Sequence, residues 1–270
     1  MLVRVVTDRT FLWLAQLFYA ASCLLTVRRL RAAGGIDRLH QANYGLMAAG
    51  FVLNTVFLYL RGQSLQRCPL TNLFEASAFV AWAAVLFFLL IGGAYRVSFL
   101  GAFTAPLVLV IGLAALLLPV DVRRAEPLTR SAWVEFHAAI AVVSVGAFAL
   151  AFVAGGMYLF QERQLKTRKL SSSFLLLPPI EQLDVIQFRL LVMGFTMLTA
   201  GMIGGVISYQ IVGHWTLPKI VWAVTVWALY AALLAARVGW SVRGRKVATV
   251  SMVAFAVMLA GYWGVSLVRP

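Results

Sequence analysis

Three histidines, at positions 40, 137 and 214, are the only imidazoles in 270 residues, and two of them sit in surroundings where a nitrogen donor could do chemistry. His137 follows Ser131-Ala132-Trp133-Val134-Glu135-Phe136 and precedes a run, 138–159, without a single charge. A neutral imidazole at the edge of so apolar a segment suits axial ligation of a haem iron. It also suits a helix-end histidine hydrogen-bonded to a neighbouring carbonyl or to Glu135. His214 lies in Gly213-His214-Trp215-Thr216-Leu217-Pro218-Lys219-Ile220-Val221-Trp222, a short lip between two apolar segments. Trp215 and Trp222 could form an apolar shelf against a porphyrin, or serve as interface anchors with Lys219. A third cluster is Cys68-Pro69-Leu70-Thr71-Asn72-Leu73-Phe74-Glu75. Asn72 and Glu75 could face a cofactor there, or cap a helix start and complement its dipole. His40, in a basic loop, reads as a solvated residue.

The elements that must carry these residues are set by composition. Hydrophobic residues make up 62% of the chain and charged residues 12%, which a soluble domain of this length could not cover. About 20 apolar residues cross a bilayer. The sequence predicts an all-α, polytopic transmembrane helical bundle of about eight spans, roughly at 10–27, 41–60, 73–93, 97–118, 133–160, 188–212, 218–237 and 247–268. The longest connection falls at about 161–187. The 11–27 segment lacks an Ala-x-Ala-like cleavage site and is followed by further spans, so it reads as a first transmembrane helix. Gly155-Gly156 and the Gly201/Gly205 pair fit close helix packing.

The net charge of +14 comes from residues in short loops, which is a topology signal rather than a nucleic-acid surface. Fourteen of the 23 basic residues fall on the side of the 28–38, 163–189 and 237–246 connections, and nine on the other. The richer side is expected to be cytoplasmic, with both termini on the non-cytoplasmic side. All three ligand-bearing clusters then lie at the outer interface, where ionisable groups at membrane depth are costly and usually functional. The basic front of the 163–187 connection fits anionic lipid headgroups. Cys23 and Cys68 fall at opposite ends of the bilayer, too far apart for a disulfide. There is no Cys-x-x-Cys, phosphate loop or hydrolytic constellation to suggest an enzyme.

Several segments together resemble the cytochrome c assembly family of haem-handling membrane proteins. Pro69-Leu70-Thr71-Asn72-Leu73-Phe74-Glu75-Ala76 with Phe79 and Trp82 is similar to the family's Ser-Asn-Leu-Tyr-Glu-Ser motif. Phe136-His137, Gly146 and the run from Tyr158 through Gln161-Glu162-Arg163 to Lys166 resemble its histidine-led span. Leu177-Pro178-Pro179 with Glu181, Leu183, Phe188 and Arg189 is similar to the segment that follows. Pro218-Lys219 with Trp222-Ala223 and 225–231 resembles the helix after the tryptophan-rich motif. The resemblance covers about 45–265, leaving 1–44 as a first span and basic loop continuous with the same bundle.

The resemblance implies haem b held at the outer face by His137 and His214, with Trp215, Trp222, Asn72 and Glu75 around it. The departures are specific. The family's Trp-Asp-Pro-Lys-Glu reads Trp215-Thr216-Leu217-Pro218-Lys219-Ile220 here, without either acidic residue. Ala235 stands where an intramembrane histidine is expected, and 261–264 hold no second external histidine. This pattern is nearer the HemX-like and YpjD-like branch. The implied role is a non-catalytic haem-binding component of cytochrome c biogenesis, multi-pass in the bacterial cytoplasmic (inner) membrane. Its partners would be membrane lipid, haem and other cytochrome c maturation proteins. A regulator of tetrapyrrole synthesis and a membrane scaffold without haem are the alternatives.

Overall fold

The structure is a computed structural model that describes residues 2–32, 36–70, 72–95, 100–117, 131–167, 178–212 and 217–267. Eight helices account for nearly all of them. They are α1 (Leu2–Ala32), α2 (Ile36–Leu65), α3 (Leu73–Tyr95), α4 (Leu100–Leu117), α5 (Ala132–Thr167), α6 (Ile180–Val212), α7 (Leu217–Gly239) and α8 (Arg245–Leu267). No strand occurs among the described residues. Helices are the expected solution for a single chain in hydrocarbon, because every backbone group is then bonded within its own segment. Seven of them, α1 to α7, contain a stretch long and apolar enough to cross a bilayer. The all-α, polytopic architecture expected from the sequence is therefore present.

Helix boundaries run past the apolar windows. The expected connection at 161–187 is helical at both ends, because α5 continues to Thr167 and α6 begins at Ile180. The 36 residues of α5 give about 54 Å of helix, well beyond a hydrocarbon core of about 30 Å. Its charged end continues as helix, with Lys166 Nζ donating to Glu162 Oε1 at 2.7 Å one turn back. Such a pair supports a solvated last turn modestly. Hydropathy locates what must be in lipid, and says little about where a helix stops outside it.

Small residues set the packing. α5 and α6 form the most extensive pair, followed by α1 with α2, while α3 packs against both α4 and α5. Gly146 of α5 lies directly on Ala83 and Ala84 of α3, where any side chain would collide. Gly194 of α6 accommodates the Phe148 ring, which stacks on Tyr230 of α7 with centroids 3.7 Å apart. α7 rests mainly on α8 and α6.

A clamp ties the ends of α6 and α7 to the turn before α8. Arg237 Nη1 and Nη2 donate to Asp184 Oδ1 and Oδ2 at 2.9 and 2.6 Å, and the guanidinium covers the Phe188 ring at 4.5 Å. Gly244 donates its backbone N–H to Asp184 Oδ1 at 3.3 Å from a left-handed conformation, φ +67°. A side chain there would also meet the Tyr158 hydroxyl, so glycine is required twice over.

Candidate functional site

His137 sits in the second turn of α5, and α6 supplies the surface it lies on. Gly201, Gly204 and Gly205 form a side-chain-free strip. A Cβ on Gly205 would lie 2.9 Å from His137 Cε1, and one on Gly204 would lie 3.3 Å from His137 Cβ. One turn further on, Gly201 takes Ala141 in the same way. The close helix packing expected at Gly201 and Gly205 is present, and the group it admits is the imidazole.

The imidazole is oriented by a hydrogen bond between Nδ1 and the Gly201 carbonyl oxygen. A carbonyl only accepts, so Nδ1 carries the proton and donates. In the neutral ring the lone pair is then on Nε2, which has no hydrogen-bond partner among the described residues. This second-nitrogen bond to a backbone carbonyl is the arrangement that fixes the tautomer of a metal-ligating histidine. The two readings of His137, carbonyl-bonded or iron-ligating, are therefore compatible, since each uses a different nitrogen.

The loop before α3 and the start of α5 converge. Burial pushes the Cys68 thiol up to about 11, and the nearby carboxylates of Glu135 and Glu75 push it the same way. The thiol thus lies within electrostatic reach of both helix starts. Cys23 and Cys68 are both free, as the sequence predicts.

Asn72 and Glu75 are part of the α3 start itself. Asn72 Oδ1 accepts the Glu75 backbone N–H at 2.7 Å, which is an N-cap. Glu75 is fully buried, and its Oε1 accepts from Arg61 Nε at 3.2 Å. Arg61 is itself only 4% exposed, and the guanidinium groups of Arg61 and Arg9 both lie over the Phe74 ring, at 5.9 and 5.6 Å. Arg61 is a residue the sequence reading did not single out. An arginine one turn from the end of an apolar span, facing an acidic helix start across a short loop, was the available signal.

Trp222 lies on another surface. Its indole covers Gly261 of α8 and lines a cavity of about 340 Å³ between α3, α4, α5, α7 and α8. Ser77, Val110, Val142 and Met258 contribute other walls, and His137 does not. Val142 is five residues beyond His137, roughly 140° around α5. The cavity and the imidazole groove are thus on different faces of one helix. The lip residues His214 and Trp215 lie outside the described residues, while Lys219 opens α7 on an exposed surface.

The donor chemistry on hand is a single imidazole. Among the described residues no three His, Cys, Asp or Glu side chains gather as a metal cage. One oriented imidazole suits an iron whose remaining ligands come from a macrocycle. The cavity at Trp222 is apolar and falls at the small end of the usual range for ligand pockets, about 300–1,000 Å³. His137 fits one axial ligand, and the Trp222 cavity is a separate apolar space on another face of α5.

The chain is 32% identical over 251 residues to the cytochrome c biogenesis protein CcsA of Synechococcus sp. (strain CC9902), a match covering 82% of each chain. It is 31% identical over 269 residues to the protein of that name from Prochlorococcus marinus (strain NATL1A), covering 87% of this chain and 84% of the relative. Both of these relatives are CcsA proteins. The family model described as "Cytochrome C assembly protein" matches residues 70–270, from the α3 start through α8, and the chain belongs to the cytochrome c assembly protein family.

Proposed function

We propose that this chain is a multi-pass membrane protein that handles haem during cytochrome c assembly, with His137, near the outer end of α5 and packed on the glycine strip of α6, as an axial ligand. The observation that carries this reading is the division of labour in the imidazole. Nδ1 is committed to the Gly201 carbonyl, and Nε2 is left with its lone pair. The relatives' name, cytochrome c biogenesis protein, supplies the process in which such a ligand would be used.

Haem b is the form this donor set suits, because no Cys-x-x-Cys-His is present for covalent attachment. When bound, haem supplies an iron centre whose ligation the protein tunes through the axial histidine and the polarity around it. The chain's own part is to bind and orient. Gly201 fixes the ring tautomer, Gly204 and Gly205 admit the ring, and His214 is the candidate second ligand. Trp215 is the candidate apolar wall, while Trp222 lines the separate cavity on another face of α5. Asn72 and Glu75 act by holding the start of α3 in place beside the loop and the α5 terminus. The contribution is non-catalytic, with transfer to other cytochrome c maturation proteins. Eight spans, both termini outside, in a bacterial cytoplasmic membrane, complete the proposal.

Imidazole rescue tests the ligand assignment. His137→Gly should lose most haem binding, and adding free imidazole should restore the haem spectrum by occupying the vacated site. A His137→Gly protein that binds haem as the parent does would sink the assignment. A scaffold without haem would give no spectrum in either protein.

A further inference from the structure

Away from His137 and from the Trp222 cavity, a line of buried polar side chains runs between α1, α2 and α4. Gln16, Tyr19, Ser22 and Thr26 recur at three- and four-residue intervals, placing them along one side of α1. Asn43, Asn54 and Arg61, at intervals of eleven and seven residues, fall along one side of α2. All seven are at most 4% exposed. From Asn43 to Arg61 the rise along α2 is about 27 Å, close to the thickness of the hydrocarbon core.

Both ends of this line are bonded. At one end Ser22 Oγ donates to Asn43 Oδ1 at 2.5 Å, and Asn43 Nδ2 donates to Thr26 Oγ1 at 3.2 Å. At the other, Arg61 pairs with Glu75. The middle is not. The Gln16 Oε1 and Nε2, the Tyr19 hydroxyl and the Asn54 Oδ1 are buried without a hydrogen-bond partner among the described residues. The Tyr19 hydroxyl lies beside the Asn54 side chain without reaching hydrogen-bond geometry. Asn54 Nδ2 reaches only the Ala78 carbonyl, at 3.4 Å.

In hydrocarbon an unbonded amide or hydroxyl is costly, and buried groups of this kind normally hold ordered water. Side chains already cover the glycine faces on either side. The Tyr19 ring lies on Gly50, and the Gln16 amide lies on Gly112 of α4. The ligand that matches the remaining donors and acceptors without displacing these side chains is water.

We propose that water molecules bound at Gln16, Tyr19 and Asn54 satisfy these groups and form the middle of a polar file between α1, α2 and α4. The file involves neither His137 nor the Trp222 cavity, so it stands independently of the haem assignment.

Radiolytic hydroxyl-radical labelling of the full chain in lipid nanodiscs tests it, because bound water generates radicals beside the side chain it touches. Tyr19 should be modified at least about tenfold faster than Phe57, which is equally buried within an apolar cluster. Asn54→Leu should reduce labelling at Tyr19 toward the phenylalanine level. If Asn54→Leu does not yield a monodisperse protein, Gln16→Leu takes its place. Tyr19 as protected as Phe57 in the unmodified chain would overturn the proposal, as would labelling at Tyr19 that neither substitution changes.

Discussion

The Nδ1 of His137 donates to the carbonyl of Gly201, joining the second turn of α5 to the middle of α6. The contact exists because α6 presents glycine at 201, 204 and 205, so the two helices approach closely enough for the ring to pack directly on the α6 backbone. One bond thereby sets both the helix pairing and the protonation pattern of the imidazole. In the neutral ring that bond leaves the lone pair on Nε2, and with it the capacity to ligate iron.

The glycine strip makes a specific prediction. Gly205→Val should displace the imidazole, since even a Cβ there would lie 2.9 Å from Cε1. Haem affinity should fall by roughly the 10–100-fold typical of losing a ligand's supporting contacts. Gly156→Ala, where a Cβ meets only the end of Met252 at 3.7 Å, should leave affinity unchanged. Equal haem titrations for Gly205→Val and the parent would contradict the geometry.

Glu75→Gln should destabilise the fold, because Arg61 would keep its buried charge without its carboxylate partner. Breaking one partner of such a pair costs about 3–5 kcal/mol. Replacing both, Glu75→Gln with Arg61→Met, should recover much of that loss. Thermal unfolding in detergent reads the difference, and additive losses in the double variant would argue against the pairing.

Cys68 should be a slow nucleophile. With its thiol near 11 rather than the ordinary 9.0, the thiolate at pH 8 is about 100-fold scarcer. Iodoacetamide labelling should therefore be slow at pH 8 and rise steeply up to about pH 11. Glu135→Gln removes one of the nearby negative charges and should lower the thiol pKa, speeding labelling at fixed pH. A rate equal to that of an exposed thiol would refute the buried, carboxylate-flanked placement.

Gly244→Ala should loosen the clamp at the α7–α8 turn. It forces a left-handed residue to carry a Cβ that meets the Tyr158 hydroxyl. The strain of such a position is about 1–3 kcal/mol. Proteolysis within the turn, compared with the parent, is the readout, and unchanged protection would show that the turn tolerates a side chain.

Much of the architecture was legible in the sequence because lipid imposes so simple a rule on it. Long uncharged runs announced each helix, and Asn72 with Glu75 announced the start of α3. Pairings across helices were not legible. Arg237 and Asp184 are 53 positions apart, and nothing local to either reveals the other. Azimuth was not legible: Trp222 lines a cavity on a different face of α5 from the one His137 presents to α6. A hydropathy profile fixes position along the membrane normal and leaves rotation about each helix to be settled by packing.

The central claim, haem held by His137, is tested most directly by the absorbance spectrum of the detergent-purified chain from haem-replete cells. The account predicts a Soret band in the parent protein that His137→Ala weakens or abolishes while the protein remains monodisperse. A colourless parent protein that stays colourless on adding haemin would contradict it, as would a Soret band that His137→Ala leaves unchanged.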